Sequence, residues 1–252
     1  MLDAAFWGLI QGLTEFLPIS SSGHLVLVPA ALNREGPELA VSAVLHLGTL
    51  ISLLVYFRTE VNEIIRFTSS GRRLLRLIIL GTIPAVVLGL AFRGPIGTLN
   101  NAPRAVAVCL FSAGILLSVI SRFQSGSGLI ANASSRDALI MGFGQALALI
   151  PGVTRSGLII GAGTVRSLDL YEAARFAFLL GIPAIAGAGS IEFINLAQKG
   201  TDIGIEVSVG IAVAAVVGYI SIATLLRVIR SSGLRPFGLY CIATGALCFF
   251  LV

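Results

Sequence analysis

The chain has 252 residues, of which 56% are hydrophobic and only 12% charged, about half the charged share of a soluble domain. A soluble protein of this length cannot hide so much apolar surface, so the composition and a mean hydropathy of +0.97 exclude an ordinary soluble enzyme and make lipid the solvent. The net charge of +5 does not indicate a nucleic-acid partner: every basic residue except Lys199 is arginine, no basic stripe alternates with aromatic residues, and the arginines read as loop residues that set membrane topology.

The N-terminus lacks a basic n-region and a small-x-small cleavage site, so no removable signal peptide is expected. The first apolar stretch, 3–32, is broken in its middle by P-I-S-S-S-G-H, Pro18 to His24. Uninterrupted apolar stretches follow at roughly 39–57, 77–92 and 105–121. A second broken stretch, 137–166, is interrupted by P-G-V-T-R-S-G, Pro151 to Gly157, and three further spans follow at 175–195, 205–226 and 236–252. Each half of a broken stretch has only about 10–14 residues, short of the ~20 that a crossing needs. Irregular backbone at membrane depth survives only where protein or a wet cavity satisfies it. Both stretches are therefore expected to be re-entrant helix hairpins. Cys109, Cys241 and Cys248 sit in apolar runs without metal-ligand spacing and read as small core residues.

The two broken stretches resemble each other. Gln11 aligns with Gln145, Pro18 with Pro151, and Ser22-Gly23 with Ser156-Gly157, with a one-residue adjustment at the proline. Three spans follow each, so the chain is expected to be one membrane domain, 1–252, made of two repeats, about 1–125 and 134–252. Three is odd, so the second copy enters from the opposite side: an all-α polytopic membrane protein with an inverted-topology repeat, six transmembrane helices and two re-entrant hairpins. Charge agrees. The segments 58–76, 122–136, 166–175 and 227–235 share one face in this scheme and carry twelve arginines, so that face is expected to be cytoplasmic. Arg34, Arg93, Arg104 and Lys199 fall on the other face, with both termini.

The polar residues of the breaks carry the chemistry. Arg155 inside an apolar segment must face a cavity or a partner. With Thr154, Ser156, Gly152, Gly157 and a half-helix N-terminus it suits a phosphate; a salt bridge to Glu15 that ties the repeats together is the compatible alternative. Gln11 and Glu15, four residues apart, share one helix face. Glu15 suits a hard divalent cation, Mg²⁺ or Ca²⁺, a base, or a proton relay. Ser20, Ser21 and Ser22 offer a nucleophile, phosphate donors or helix caps. His24 offers a general base or acid, or a hydrogen-bonded core histidine. His46 is mid-span, where a structural role is at least as strong a reading as support of the site. Together these groups fit phosphoester hydrolysis on a lipid whose tail must stay in hydrocarbon.

The stretches Q-G-L-T-E-F-L-P-I-S-S-S-G-H and P-G-V-T-R-S-G resemble the two signature motifs of the undecaprenyl-diphosphate phosphatase family of the bacitracin-resistance type. The similarity extends through A-V-L-H-L-G-T-L, G-T-I-P-A-V-V-L-G-L and F-A-F-L-L-G-I-P-A-I, nearly the whole chain. The resemblance implies removal of one phosphate from a C55 polyprenyl diphosphate, giving the carrier lipid for cell-envelope glycan synthesis. It further implies dependence on Mg²⁺ or Ca²⁺ and an active site on the outer side of the plasma membrane. It places the metal-binding pair at Gln11 and Glu15, catalysis at Glu15, Ser21, His24 and Arg155, and substrate contacts at Ser20, Ser22, Gly23, Thr154, Ser156 and Gly157. Ser21 is the leading nucleophile, activated by His24, with His24 itself the alternative. Two positions depart from many members: Gln11 stands where they carry Glu, removing a charge from a metal ligand, and Thr154 where they carry Ser. The rival reading is a polyprenyl-phosphate transporter using the same site. Polyprenyl diphosphate and membrane lipids are the expected partners, and a homodimer is left open.

Overall fold

The computed structural model describes residues 1–37, 39–198 and 205–252. Lys199 lies outside the described residues. The first broken stretch folds as α1 (Leu2–Phe16) and α2 (Ser21–Ala31). α3 (Leu39–Tyr56), α4 (Arg58–Ile65), α5 (Ser69–Ala91), α6 (Arg93–Leu99) and α7 (Pro103–Ile120) follow. The second broken stretch is α8 (Ser135–Leu147) and α9 (Arg155–Val165), and α10 (Leu170–Gln198), α11 (Ile205–Ser232) and α12 (Arg235–Leu251) complete the chain. At 1.5 Å rise per residue, the 15, 11, 13 and 11 residues of α1, α2, α8 and α9 are too short to cross ~30 Å of hydrocarbon.

Among the described residues four helices are long and apolar enough to cross: Ser69–Ala91, Pro103–Phe123, Leu170–Ile191 and Ile205–Ser232. The α3–α4 pair makes a fifth if its 81° bend is counted within one span. α12 is apolar but has only 17 residues. The protein is thus an all-helical, multi-pass membrane protein with four to five candidate spans, where hydropathy led to an expectation of six.

The ends of the elements also differ from the sequence reading. The stretch 58–76 is helical at both ends, not a loop: α4 turns sharply off α3, and α5 begins at Ser69. Thr68 caps α5, its hydroxyl accepting the Gly71 N–H at 3.0 Å. Arg72, Arg73 and Arg76 lower the local hydropathy, yet arginine is a good helix former, so helix and apolar run do not share a boundary. The same holds for α11, which continues through Arg227 and Arg230, and for α10. There Asp169 Oδ1 accepts the N–H groups of Tyr171 and Glu172 at 2.9 and 3.2 Å and starts the helix at Leu170.

The four arginine-rich segments meet at one end of the molecule. Arg175 bridges Glu60 and Glu172. Arg73 donates to the Ala133 carbonyl at 2.8 Å, Glu172 accepts the Ile130 N–H at 3.2 Å, and Arg230 lies 3.8 Å over the Tyr171 ring. At the other end the N-terminal ammonium meets Glu206 at 2.7 Å, and Arg104 donates to the Val252 carbonyl at 2.6 Å.

Packing crosses between the two halves of the chain. α1 lies on α11, α8 on α5, α3 on α10 and α7 on α12. Small residues let the backbones approach, as in membrane helix pairs generally. Gly8 faces Gly210, and Gly142 faces Gly81. A Cβ on Gly114 would come within 2.7 Å of the Gly238 carbonyl, and one on Gly245 within 2.6 Å of the Phe111 nitrogen. Cys241 and Cys248 are buried among these contacts as free thiols. α8 begins with a reciprocal cap between Ser134 and Asp137, and Asp137 also accepts from Arg166 at 2.7 Å. Burial alone would raise the Asp137 carboxyl. The Ser134 N–H, the Arg166 guanidinium and the Ser134 hydroxyl outweigh it and hold it below the usual carboxylate range.

Candidate active site

The site forms where the two breaks touch. Both start their second half-helix with the same kind of hydroxyl cap. α1 ends at Leu17 in extended backbone, because the residue before a proline is driven out of the α region. Ser20 then caps α2, its Oγ accepting the Gly23 N–H at 3.1 Å. Thr154 caps α9 in the same way, accepting the Gly157 N–H at 3.2 Å. The second cap hydroxyl is matched too: Ser20 and Ser22 oxygens are 3.4 Å apart, as are those of Thr154 and Ser156. Gly152, at φ +91°, is in the left-handed region, and a Cβ there would strike the Val106 carbonyl, so both conformation and space require glycine. The elbows are in direct contact. Ser20 Oγ donates to the Val153 carbonyl at 3.4 Å, and a Cβ on Gly23 would stand 3.2 Å from Gly152 Cα.

Glu15 is the hub of this junction. Its side chain is only 2% exposed. Arg155 Nη2 donates to Oε1 at 2.8 Å. Ser21 Oγ donates to Oε2 at 2.6 Å and Gln11 Nε2 at 3.0 Å, and His46 Nε2 stands 3.5 Å from the same oxygen. Ser21 and Arg155 are each the first residue of their half-helix, so the two helix starts aim at one carboxylate. A narrow cavity beside the pair is lined by Phe16, Leu53, Phe178, Gly181 and Ile185 together with Ser156. Arg155 keeps 27% of its side chain exposed, and a guanidinium has five N–H donors, so it can face an anion while it bonds Glu15. The N-terminus of α9 adds positive dipole at the same place.

Gln11, Glu15, Ser21 and Arg155 therefore converge, with Ser20, Ser22, Gly23, Thr154, Ser156 and Gly157 forming the lips of the two elbows. His24 is turned elsewhere: its Nδ1 is 2.8 Å from the Ser20 carbonyl and its Nε2 2.8 Å from the Tyr240 hydroxyl. Ser21 was expected to pair with His24; its hydroxyl bonds Glu15 instead, because the chain reverses between Glu15 and Ser21 and closes the distance.

Two groups at the junction have little or no local mark in the sequence. His46 touches the central carboxylate from α3, and the signal was present as a lone imidazole in an apolar span. Tyr240 lies 216 residues from His24 in an apolar run, with nothing local to mark it.

An oxygen-rich site also suits a hard cation. Gln11 Oε1 is a buried acceptor with no hydrogen-bond partner among the described residues, and it sits on the residue that bonds Glu15. Among the described residues no three His, Cys, Asp or Glu side chains converge. A cation here would thus rely on one carboxylate, an amide and a hydroxyl, completed by phosphate oxygens, as magnesium commonly does.

Sequence comparison places this geometry in a family. Residues 4–247 match the family described as "Bacitracin resistance protein BacA". The chain is 40% identical over 257 residues to a protein of Trichlorobacter lovleyi named undecaprenyl-diphosphatase, covering 97% of this chain and 94% of that one. It is 39% identical over 261 residues to the undecaprenyl-diphosphatase of Geotalea daltonii, at 98% and 96% coverage. With the undecaprenyl-diphosphatase of a Nocardioides species it shares 39% identity over 263 residues, at 100% and 96% coverage. The chain belongs to the bacitracin resistance protein BacA family.

Proposed function

We propose that the protein hydrolyses undecaprenyl diphosphate to the monophosphate carrier lipid and inorganic phosphate. The observation that carries this reading is the buried junction of Arg155, Glu15 and Ser21, built from two elbows too short to cross the membrane. The relatives' shared name supports the substrate. In this reading the guanidinium of Arg155 and the N–H groups at the start of α9 hold the terminal phosphate. Glu15 takes the proton from Ser21, whose Oγ attacks the terminal phosphorus. The bond from that phosphorus to the bridging oxygen breaks, and polyprenyl monophosphate leaves. Water then attacks the phosphoserine, the Ser21 oxygen leaves with a proton, and inorganic phosphate is released. Gln11 Oε1, Glu15 and Ser21 would hold Mg²⁺ or Ca²⁺. Such an ion neutralises phosphate charge and polarises its oxygens.

The topology follows the same reading. The two broken segments are re-entrant hairpins of an inverted repeat, with α3, α5, α7, α10, α11 and α12 as the six spans; the reciprocal packing of α1 on α11 and α8 on α5 supports this. The arginine-rich end is cytoplasmic in this reading, by the positive-inside rule, so both termini lie towards the outer side of the plasma membrane; a site that faces outward follows from the family resemblance.

The test is phosphate release by purified protein from polyprenyl diphosphate with Mg²⁺ or Ca²⁺ present. Release that stops with chelator supports the reading. Transbilayer movement of the lipid without release overturns it in favour of transport.

A further inference from the structure

The two histidines of this chain are held alike, each with Nδ1 on the carbonyl four residues earlier: His24 on Ser20 at 2.8 Å and His46 on Ser42 at 2.9 Å. A carbonyl only accepts, so Nδ1 carries the proton. The neutral ring of His24 then has Nε2 as its acceptor, and Tyr240 O–H donates to it at 2.8 Å. The rings are nearly parallel, 12° apart. The Ser20 carbonyl also accepts the His24 backbone N–H at 3.2 Å. Ser20 has φ +70°, a left-handed conformation that a non-glycine residue keeps only when its surroundings over-determine it. Here its Oγ serves the Gly23 N–H and reaches Val153, while His24 holds its carbonyl.

We propose that Tyr240 is a positioning residue of the reaction: through His24 it clamps the Ser20 carbonyl, and so fixes the first elbow with Ser21 directed at Glu15. His24 then acts on backbone geometry and not as the base for Ser21, whose proton already points to Glu15 Oε2 at 2.6 Å. The clamp also ties α12, the last helix of the chain, to the first elbow. This inference rests on the phosphatase reading for its kinetic test, and a spectroscopic arm is independent of it.

Asparagine places an N–H donor where Nδ1 stands but has no counterpart of Nε2. His24→Asn should keep turnover within ~10-fold of the parent, whereas His24→Ala should lose ~100-fold, the range for removing a supporting hydrogen bond at a reactive centre. Tyr240→Phe keeps the ring stack and should lower kcat ~10-fold with KM and melting temperature little changed. In the His46→Gln background, which leaves one imidazole, the ¹⁵N spectrum of His24 should show protonated Nδ1 and hydrogen-bonded, unprotonated Nε2. Tyr240→Phe should shift Nε2. A folded His24→Asn as inactive as His24→Ala, full kcat in Tyr240→Phe, or a proton on Nε2 would each overturn the proposal. If the parent releases no phosphate at all, the phosphatase reading fails while the imidazole spectrum still decides the clamp.

Discussion

The two elbows have nearly the same cap hydrogen bonds and opposite chemistry. Their cap bonds are 3.1 and 3.2 Å, and their paired hydroxyls are both 3.4 Å apart. At the first helical position, however, one carries Ser21 and the other Arg155; at the fourth, one carries His24 and the other Leu158. Counting four residues on from the matched glutamines, Gln11 leads to Glu15 and Gln145 to Leu149. A strictly symmetric pair would bring two carboxylates or two guanidinium groups together, and like charges at such range in a poorly solvated junction repel strongly. The two matching elbows can meet because they divide the charges between them. The glutamines record the division. Gln11 Nε2 has Glu15 as its acceptor, whereas neither amide atom of buried Gln145 has a hydrogen-bond partner among the described residues.

Removing either charge should have the greatest consequence. Glu15→Ala and Arg155→Ala should each lower kcat/KM at least ~100-fold. The double variant should be little worse than either single one, because each single change leaves a buried charge alone. Additive losses in phosphate-release kinetics would mean that the elbows work separately.

Ser21→Ala and Thr154→Ala probe equivalent elbows in different roles. The first should cut turnover ~100-fold and leave melting unchanged. The second should cost about 1 kcal/mol of stability through loss of the α9 cap. A stability loss in the first would reduce Ser21 to a structural group.

Gln145→Leu should be neutral or slightly stabilising, since it removes an unpaired buried amide. Gln11→Leu should instead weaken activation by Mg²⁺, and Gln11→Glu should strengthen it, as read from the metal concentration at half-maximal rate. Identical behaviour of the two leucine variants would erase the distinction between the hairpins.

The smallest effect concerns how the hairpins are anchored. α1 has no side-chain cap among the described residues, whereas α8 has the Ser134–Asp137 cap. The folded-state pKa of Asp137 is depressed, so its contribution is complete above the ordinary carboxylate pKa and lost as pH falls through the lowered value. Thermal melting of the parent should therefore weaken on acidification more than that of Asp137→Asn. Parallel curves would remove the carboxylate from the anchoring of α8.

The breaks at Pro18–His24 and Pro151–Gly157 were readable because proline, glycine and hydroxyl residues interrupt hydrocarbon-compatible runs, and no helix can ignore them there. The contact of Arg155 with Glu15 was readable as one of two alternatives, since each charge needed a partner. Helix ends were not readable where arginines extend a helix past its apolar run, as at Ser69 and Ser232. Nor was the bend between Tyr56 and Arg58. Ser21 on Glu15 escaped because helical spacing does not carry across a reversal, and Tyr240 on His24 because the chain passes through most of its length between them.

Composition and local pattern alone were enough to decide that this chain lives in lipid, interrupts two of its apolar stretches, and buries a few charged groups that must find one another. Those outcomes depend on transfer energies and backbone preferences that act over a few residues. Which hydroxyl meets the carboxylate, which imidazole stands beside it and which is clamped by a phenol were settled by the packing of helices distant in sequence. Hydrogen bonds are short and directional, so a partner is chosen only once the backbones have been brought to their final distance.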